Sequence, residues 1–326
     1  MPSTQLQNIA IVGAGGQFGK HITAALLKEG KHTVTAITRA DSKGSVPTGV
    51  HYTMTVDYAS QDSLVAALKG QEALIITVPA GTGGAIQEQL INAAAEAGVQ
   101  WIMPNEYGID PAHNKQLAED TKFGPALLGT RKQIVDTGMK FVGLSCGFWY
   151  EFSLAGQEVR YGFDFGRKSL TLFDDGNTKI STSTWPLAAL AVARVFALPV
   201  VSLSSSGPAL NDFKNTSVFV ASFFASQKDM FESVLSVTGD KKSDWTVTHE
   251  PSKERYERGV KMMTEGNFEG FAILLYTRVF YPDGASDFTK KLNNDVLGLP
   301  KENIDDATKK AIEMARVSNG HWTFRW

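Results

Sequence analysis

The sequence predicts an α/β fold, a doubly wound parallel sheet joined to a smaller lobe of mixed α/β character. Three observations carry that expectation. Short apolar runs alternate with segments of helical period from Asn8 to Ser145. A glycine stands just after each of the first three helical segments, where helices commonly end. A cluster of glycines separates the first apolar run from the first helical segment.

Taken in order, the first strand is expected at Asn8–Val12 and the first helix at Gln17–Lys28, closed by Gly30. Strands follow at Thr33–Thr38 and His51–Thr55, then a helix at Gln61–Lys69 ended by Gly70. The strand Ala73–Val78 leads to a helix at Ala85–Ala97, ended by Gly98, and to the strand Trp101–Met103. Pro125 opens the next helix, Pro125–Thr137, in the first turn, where a missing N–H costs nothing. The strand Phe141–Ser145 completes the series, and right-handed crossovers wind it into one sheet. After Gly147 the rhythm breaks into aromatic and glycine-rich sequence. A strand near 216–221 (Ser217–Val220) is expected to return to the main sheet, and Gln227–Val237 and Ser252–Met263 read as helices.

Composition narrows the function. The chain has 326 residues, long enough to bury a sizeable core, and its single cysteine, Cys146, excludes an internal disulfide. A formal charge of −2 offers no field for nucleic acid or anionic lipid. The opening residues lack a basic segment followed by a long apolar one, and the run Leu187–Val201 is too short to span a bilayer. A cytoplasmic protein with a small-molecule partner is expected, without nucleic acid or membrane; a homodimer is left open. The histidines are scattered and no Cys-x-x-Cys spacing exists, so no metal site is read.

The strand NIAIV runs directly into Gly13-Ala14-Gly15-Gly16-Gln17-Phe18-Gly19, and a helix follows. Strand, glycine turn and helix in this order form a Rossmann dinucleotide cradle. Gly13 permits the tight turn, Gly16 lets backbone approach a pyrophosphate, and Gly19 lets helix pack on strand. The phosphates then meet unpaired N–H groups at the helix start. At the end of the second strand stand Thr38 and Arg39, where an acid would favour NAD. Arg39, aided by Lys43, suits a 2′-phosphate, so NADP(H) is the expected cofactor; Asp41 is the alternative partner of Arg39. Val78, Pro79 and Ala80 after the fourth strand, and Pro104 and Asn105 after the fifth, lie at carboxyl ends, the edge where open parallel sheets bind ligands. Residues 1–147 are therefore read as an NADP-binding Rossmann domain and 148–326 mainly as a substrate-binding lobe.

These residues together resemble the NmrA-like group of atypical short-chain dehydrogenases, particularly its isoflavone reductase and phenylcoumaran benzylic ether reductase branch in fungal form. The resemblance rests on Gly13/Gly16/Gly19, Arg39, Pro104-Asn105-Glu106-Tyr107-Gly108, the pair Arg131-Lys132 with Gly138, and Asp174-Asp175-Gly176-Asn177-Thr178-Lys179. It implies an NADPH-dependent reductase of a moderately large aromatic or polycyclic metabolite. One departure stands out: the lysine that the branch uses as, or to position, a proton donor aligns with Leu127. Lys122 and Tyr107 are the candidate donors in its place. A non-catalytic redox sensor that binds NADP(H) and acts through a protein partner is the rival reading, favoured by Leu127. Tyr107, Phe148, Trp149, Tyr150 and Phe152 are the candidate substrate-binding residues, the last four either lining an aromatic cavity or serving as core.

Overall fold

The computed structural model describes residues 5–42, 45–79, 83–110, 112–202 and 207–317. Its elements begin with β1 (Asn8–Val12), α1 (Gly19–Glu29), β2 (Thr33–Arg39), β3 (Tyr52–Val56), α2 (Gln61–Leu68), β4 (Ala73–Ile76), α3 (Gly83–Ala97) and β5 (Trp101–Met103). They continue with β6 (Tyr107–Gly108), α4 (Lys115–Asp120), α5 (Gly124–Asp136), β7 (Lys140–Ser145), β8 (Phe148–Trp149) and α6 (Tyr150–Leu154). Then come β9 (Phe163–Asp164), β10 (Ser169–Phe173), β11 (Lys179–Ser183), α7 (Trp185–Phe196), β12 (Thr216–Phe219), β13 (Phe223–Ser226) and α8 (Gln227–Thr238). The last are β14 (Thr246–Glu250), α9 (Ser252–Thr264), α10 (Glu269–Arg278) and α11 (Ile304–Val317).

The main sheet has the order β12-β7-β5-β4-β1-β2-β3, with β6 running beside β7, and every pairing in it is parallel. Helices on both faces explain the near-continuous apolar runs: Ile9 to Val12 of β1 and Ala73 to Ile76 of β4 are all buried. The outermost strand β3 has one neighbour, and its first four residues are exposed. Strand order reverses between β1 and β4, the switch point at which such sheets hold ligands.

The chain returns to this sheet late. β12 pairs with β7 from Thr216↔Val142 to Phe219↔Ser145, beside the strand formed some seventy residues earlier. α7 returns too, placing Ala188, Val192 and Val195 in one apolar core with Ile22 and Leu26 of α1. A second core gathers Tyr161, Phe163, Phe231, Tyr276 and Phe280 around two three-stranded sheets, β14-β10-β9 and β13-β11-β8. Among the described residues no helix is long and apolar enough to cross a membrane.

Two expected boundaries shift at the carboxyl edge for physical reasons. Helix α1 starts at Gly19 rather than Gln17, because Gly13 to Phe18 form the turn in which the Gly16 N–H donates to Gly13 O at 2.8 Å. β4 ends at Ile76 rather than Val78; Thr77 makes one more bond to β1, N–H to Val12 O at 3.0 Å, before the chain leaves the sheet.

Candidate functional site

The turn after β1 is a cradle shaped by the absence of side chains. Gly13 has φ of +80°, and a Cβ there would stand 2.1 Å from Thr77 O. A Cβ on Gly19 would stand 2.0 Å from Gly13 O, and one on Gly16 3.0 Å from the same oxygen. Thr77, unremarked in the sequence, locks the turn from β4: its Oγ1 lies 2.7 Å from Val12 O and 3.1 Å from Gly13 O. Phe18 precedes the eleven-residue α1 and supplies no side-chain cap; within the first turn the Lys20 and His21 N–H groups donate to Gly16 O and Phe18 O at 3.1 and 3.0 Å. A tight turn with glycine at its three closest backbone approaches, leading into a helix start with no side-chain cap, fits a dinucleotide pyrophosphate.

A cavity of about 410 Å³ opens on this turn. Of the expected residues, Gly13, Gly15 and Gly16 form its floor, Thr38 and Arg39 one end, Val78 and Pro79 a wall. Tyr58 and Thr77 line it as well, and nothing in the sequence pattern marked either. Gln17 is exposed at the turn, while Phe18 and Gly19 are buried beneath it. Arg39 sits at the mouth, about half exposed and 3.5 Å from the still more exposed Asp41. Such a solvated pair contributes less than about 1 kcal/mol and leaves the guanidinium free to turn to a phosphate. Lys43 and Ala80 lie outside the described residues.

The connection after β5 braces the opposite wall. Pro104 is buried, Asn105 Nδ2 donates to Val78 O at 2.8 Å, and the Asn105 N–H donates to Gln87 Oε1 at 2.6 Å. The Tyr107 hydroxyl donates to Ile76 O at 2.9 Å, and its ring meets Phe18 edge-on at 5.0 Å. Burial and the neighbouring Glu106 push this phenol well above its ordinary value. The structure therefore corrects the expectation of Tyr107 as proton donor: its proton is held by a backbone carbonyl, and the side chain braces the sheet.

Lys122 is exposed and adopts φ of +69° at the corner between α4 and α5. The corner is fixed from the second core by the Arg278–Asp120 ion pair and the Phe123–Phe271 edge contact. At Gly124 a Cβ would stand 2.5 Å from Ala118 O, so only glycine lets α5 start this close to α4. Leu127 is half-buried in the first part of α5.

The four aromatics after β7 divide into two pairs. Phe148 and Trp149 are half-buried; Phe148 lies 4.4 Å from Tyr276, and Trp149 lies 5.0 Å from Phe18 and 5.8 Å from Trp185. Trp149 thus touches the cradle's own phenylalanine. Tyr150 and Phe152 are corrected to packing roles. Tyr150 is fully buried with its hydroxyl 2.8 Å from Thr308 Oγ1, and Phe152 is covered by Trp149, Trp185 and the Arg160 guanidinium. Cys146 is buried, and burial pushes its thiol up to about 12, which leaves no thiolate for nucleophilic work.

Comparison with known proteins agrees with this geometry. The model of the NmrA-like family matches residues 5–142. An oxidoreductase of Aspergillus flavus, aprR, is 27% identical over 94% of this chain and 98% of its own. Isoflavone reductase homolog A622 of Nicotiana glauca is 27% identical over 55% of this chain and 60% of its own. Among solved structures, AtPrR2 with NADP⁺ and (+)pinoresinol superposes with a TM-score of 0.73 at 16% identity, covering 94% of this chain and 98% of that one. The likeness to the NmrA-like family thus spans residues 5–142, and the chain shares sequence with an isoflavone reductase homologue over more than half its length.

Proposed function

We propose that this protein is an NADPH-dependent reductase of a moderately large aromatic small molecule. The observation that carries the reading is the meeting, on one cavity, of a turn with little or no room for a Cβ at Gly13, Gly16 and Gly19, a helix start with no side-chain cap, and Arg39. When bound, NADPH supplies the hydride. Gly13 to Gly19 would hold its pyrophosphate and Arg39 its 2′-phosphate, and Val78 and Pro79, braced by Asn105, would form the wall beside the remainder. Trp149 offers a half-buried ring next to Phe18, and Phe148 a half-buried ring against Tyr276, surfaces suited to an aromatic substrate. The related A. flavus protein is named an oxidoreductase, and the similar AtPrR2 structure contains NADP⁺ and (+)pinoresinol, which supports the same class here.

With Tyr107 committed to Ile76, the proton that follows the hydride is assigned to Lys122 Nζ. Screening aromatic ketones, enones and quinones with NADPH tests the reading. On whichever substrate is reduced, Lys122→Met should lower turnover about 10²–10³-fold, the usual effect of losing one donor to a developing oxyanion, with NADPH affinity unchanged. Turnover unaffected by that substitution removes Lys122 from the reaction. A second reading, a redox sensor that binds NADP(H) without turnover, is favoured by Leu127 at the family's lysine position. It becomes the better one if NADPH binds and no substrate class reacts.

A further inference from the structure

The densest buried charge beside the cavity lies behind the β5–β6 connection. Glu106, Asp110, Arg131 and Ser217 are all buried. Arg131 Nε donates to the two Glu106 oxygens at 2.9 and 3.1 Å, Nη1 to Asp110 Oδ1 at 2.8 Å and Nη2 to Ser217 Oγ at 2.8 Å. The guanidinium also lies 5.1 Å from the Phe141 ring centre. β7 passes behind this group at Gly143, where a Cβ would stand 2.7 Å from both Glu106 Oε1 and Ser217 Oγ. Five parts of the chain converge: the loops on either side of β6, α5, β7 and β12.

As a source of stability this arrangement is poor, because desolvating three charges offsets most of their attraction, and apolar side chains of like volume would do as well. What it provides is geometry. A planar guanidinium with fixed donor directions sets the positions of two carboxylates and a hydroxyl at once. The segment so fixed, Pro104 to Asp110, holds a cavity-lining residue through Asn105 on Val78, and Tyr107 braces the sheet and turn behind it through Ile76 and Phe18.

We infer that Arg131, with Glu106 and Asp110, is a positioning group for the nucleotide: it fixes the Pro104–Asp110 segment and thereby the wall at Val78, so that cofactor affinity depends on the state of the cluster. The inference rests on the NADPH reading above. Burial pushes Glu106 up to about 7 despite Arg131, and Asp110 adds to the push. The other titratable groups around it are the Tyr107 phenol and, beyond Asp110, His113, which burial and then Lys291 hold below its ordinary value. When Glu106 is protonated, Arg131 keeps one anionic partner instead of two and its hold on the segment loosens. Affinity for NADPH therefore falls as pH drops through the neutral range.

The test measures the NADPH dissociation constant and the melting temperature of the full chain between pH 6.5 and 8.5. This window stands above the titration of the cofactor's own 2′-phosphate, whose second ionisation falls near 6. The parent should bind several-fold more tightly at the alkaline end. Glu106→Gln should bind with the weaker, acid-limit affinity throughout and lose the slope. Arg131→Met should weaken binding at least about tenfold, and Arg131→Lys, a point charge that still reaches one carboxylate, should recover part of that loss. A merely structural cluster lowers the melting temperature of these variants and leaves the pH profile of affinity as in the parent. That profile retained in Glu106→Gln overturns the inference, and this comparison still decides if Arg131→Met fails to fold. A parent that binds no NADPH overturns the functional reading, and the inference with it; a parent that binds, with unchanged variants, overturns the inference alone.

Discussion

The cradle at Gly13–Gly19 and the cluster around Arg131 flank the same cavity and are made of opposite materials. The cradle is backbone, shaped by what is missing: three glycines whose Cβ atoms would collide with Gly13 O or Thr77 O. The cluster is side chain, made by groups drawn from positions 106 to 217 that meet only once the sheet is assembled. The first depends on the absence of side-chain atoms; the second depends on charge. Substitution should therefore separate them, by abrupt loss in one and by graded, pH-dependent change in the other.

The largest effect is expected at Gly13. Gly13→Ala introduces a Cβ 2.1 Å from Thr77 O at a φ of +80°, and calorimetry should find no measurable NADPH binding. Gly70→Ala is the control: φ is +81° with nothing within 4 Å, so it should cost about 1–2 kcal/mol of stability and leave binding intact. Parent-like binding by Gly13→Ala would break the comparison at its root.

Next in size is Arg39→Ala. It should weaken NADPH by about 1.5–3 kcal/mol, roughly 10–150-fold, and leave NADH unmoved, since only NADPH carries the 2′-phosphate. Equal affinities of the parent for the two cofactors would remove Arg39 from recognition.

A third experiment sharpens the contrast between charge that positions a ligand and charge that does not. Glu151 is buried away from the Arg131 cluster, accepts the Trp185 N–H at 3.2 Å, and is also pushed by burial up to about 7. The folded chain keeps this proton between about 4.5 and about 7 while the unfolded chain has released it, so stability falls as pH rises through that window. Glu151→Gln should flatten the decline in melting temperature from pH 5 to 8 and leave the pH profile of NADPH affinity as in the parent. A change in that profile would mean that any buried acid moves the cofactor, not the Arg131 cluster in particular.

The smallest effect belongs to Tyr150→Phe. It removes the hydroxyl that meets Thr308, which still has Ser233 Oγ at 2.8 Å, and should cost about 1 kcal/mol without altering substrate KM. Trp149→Ala, a few ångströms away on the exposed side, should raise that KM. Were Tyr150→Phe to raise KM as well, the division of these aromatics into wall and core would fail.

Much of the main sheet was legible because its strands are short apolar runs and the phosphate turn lies between residues adjacent in sequence. What was illegible depends on distance along the chain. Thr77 matters only because β4 lies beside β1 and brings its hydroxyl to the Gly13 carbonyl, and no local pattern records that. β6 has two residues and carries no periodicity, and β10 finds its parallel partner β14 only after β11, α7, β12, β13 and α8 have intervened. Arg131 was visible as half of a basic pair, but its burial against two acids was not. Tyr107 was marked as a candidate donor and Tyr150 as an aromatic of the cavity or the core; the structure gives both hydroxyls partners, which composition alone does not reveal.

The late return of β12 bears on how the molecule is made. When Ser145 leaves the ribosome, β7 has β5 on one side and an unpaired row of backbone groups on the other, and Arg131 still lacks Ser217. At ~5–20 residues per second, the stretch up to Phe219 takes roughly 4–15 s to appear. For that interval a nascent chain carries an open parallel edge flanked by Phe141 and Leu144, the kind of surface to which another strand can add. A fragment ending near Gly147 would keep that edge permanently, so the glycine cradle, complete within the first twenty residues, has to wait for the middle of the chain before the sheet that carries it is closed.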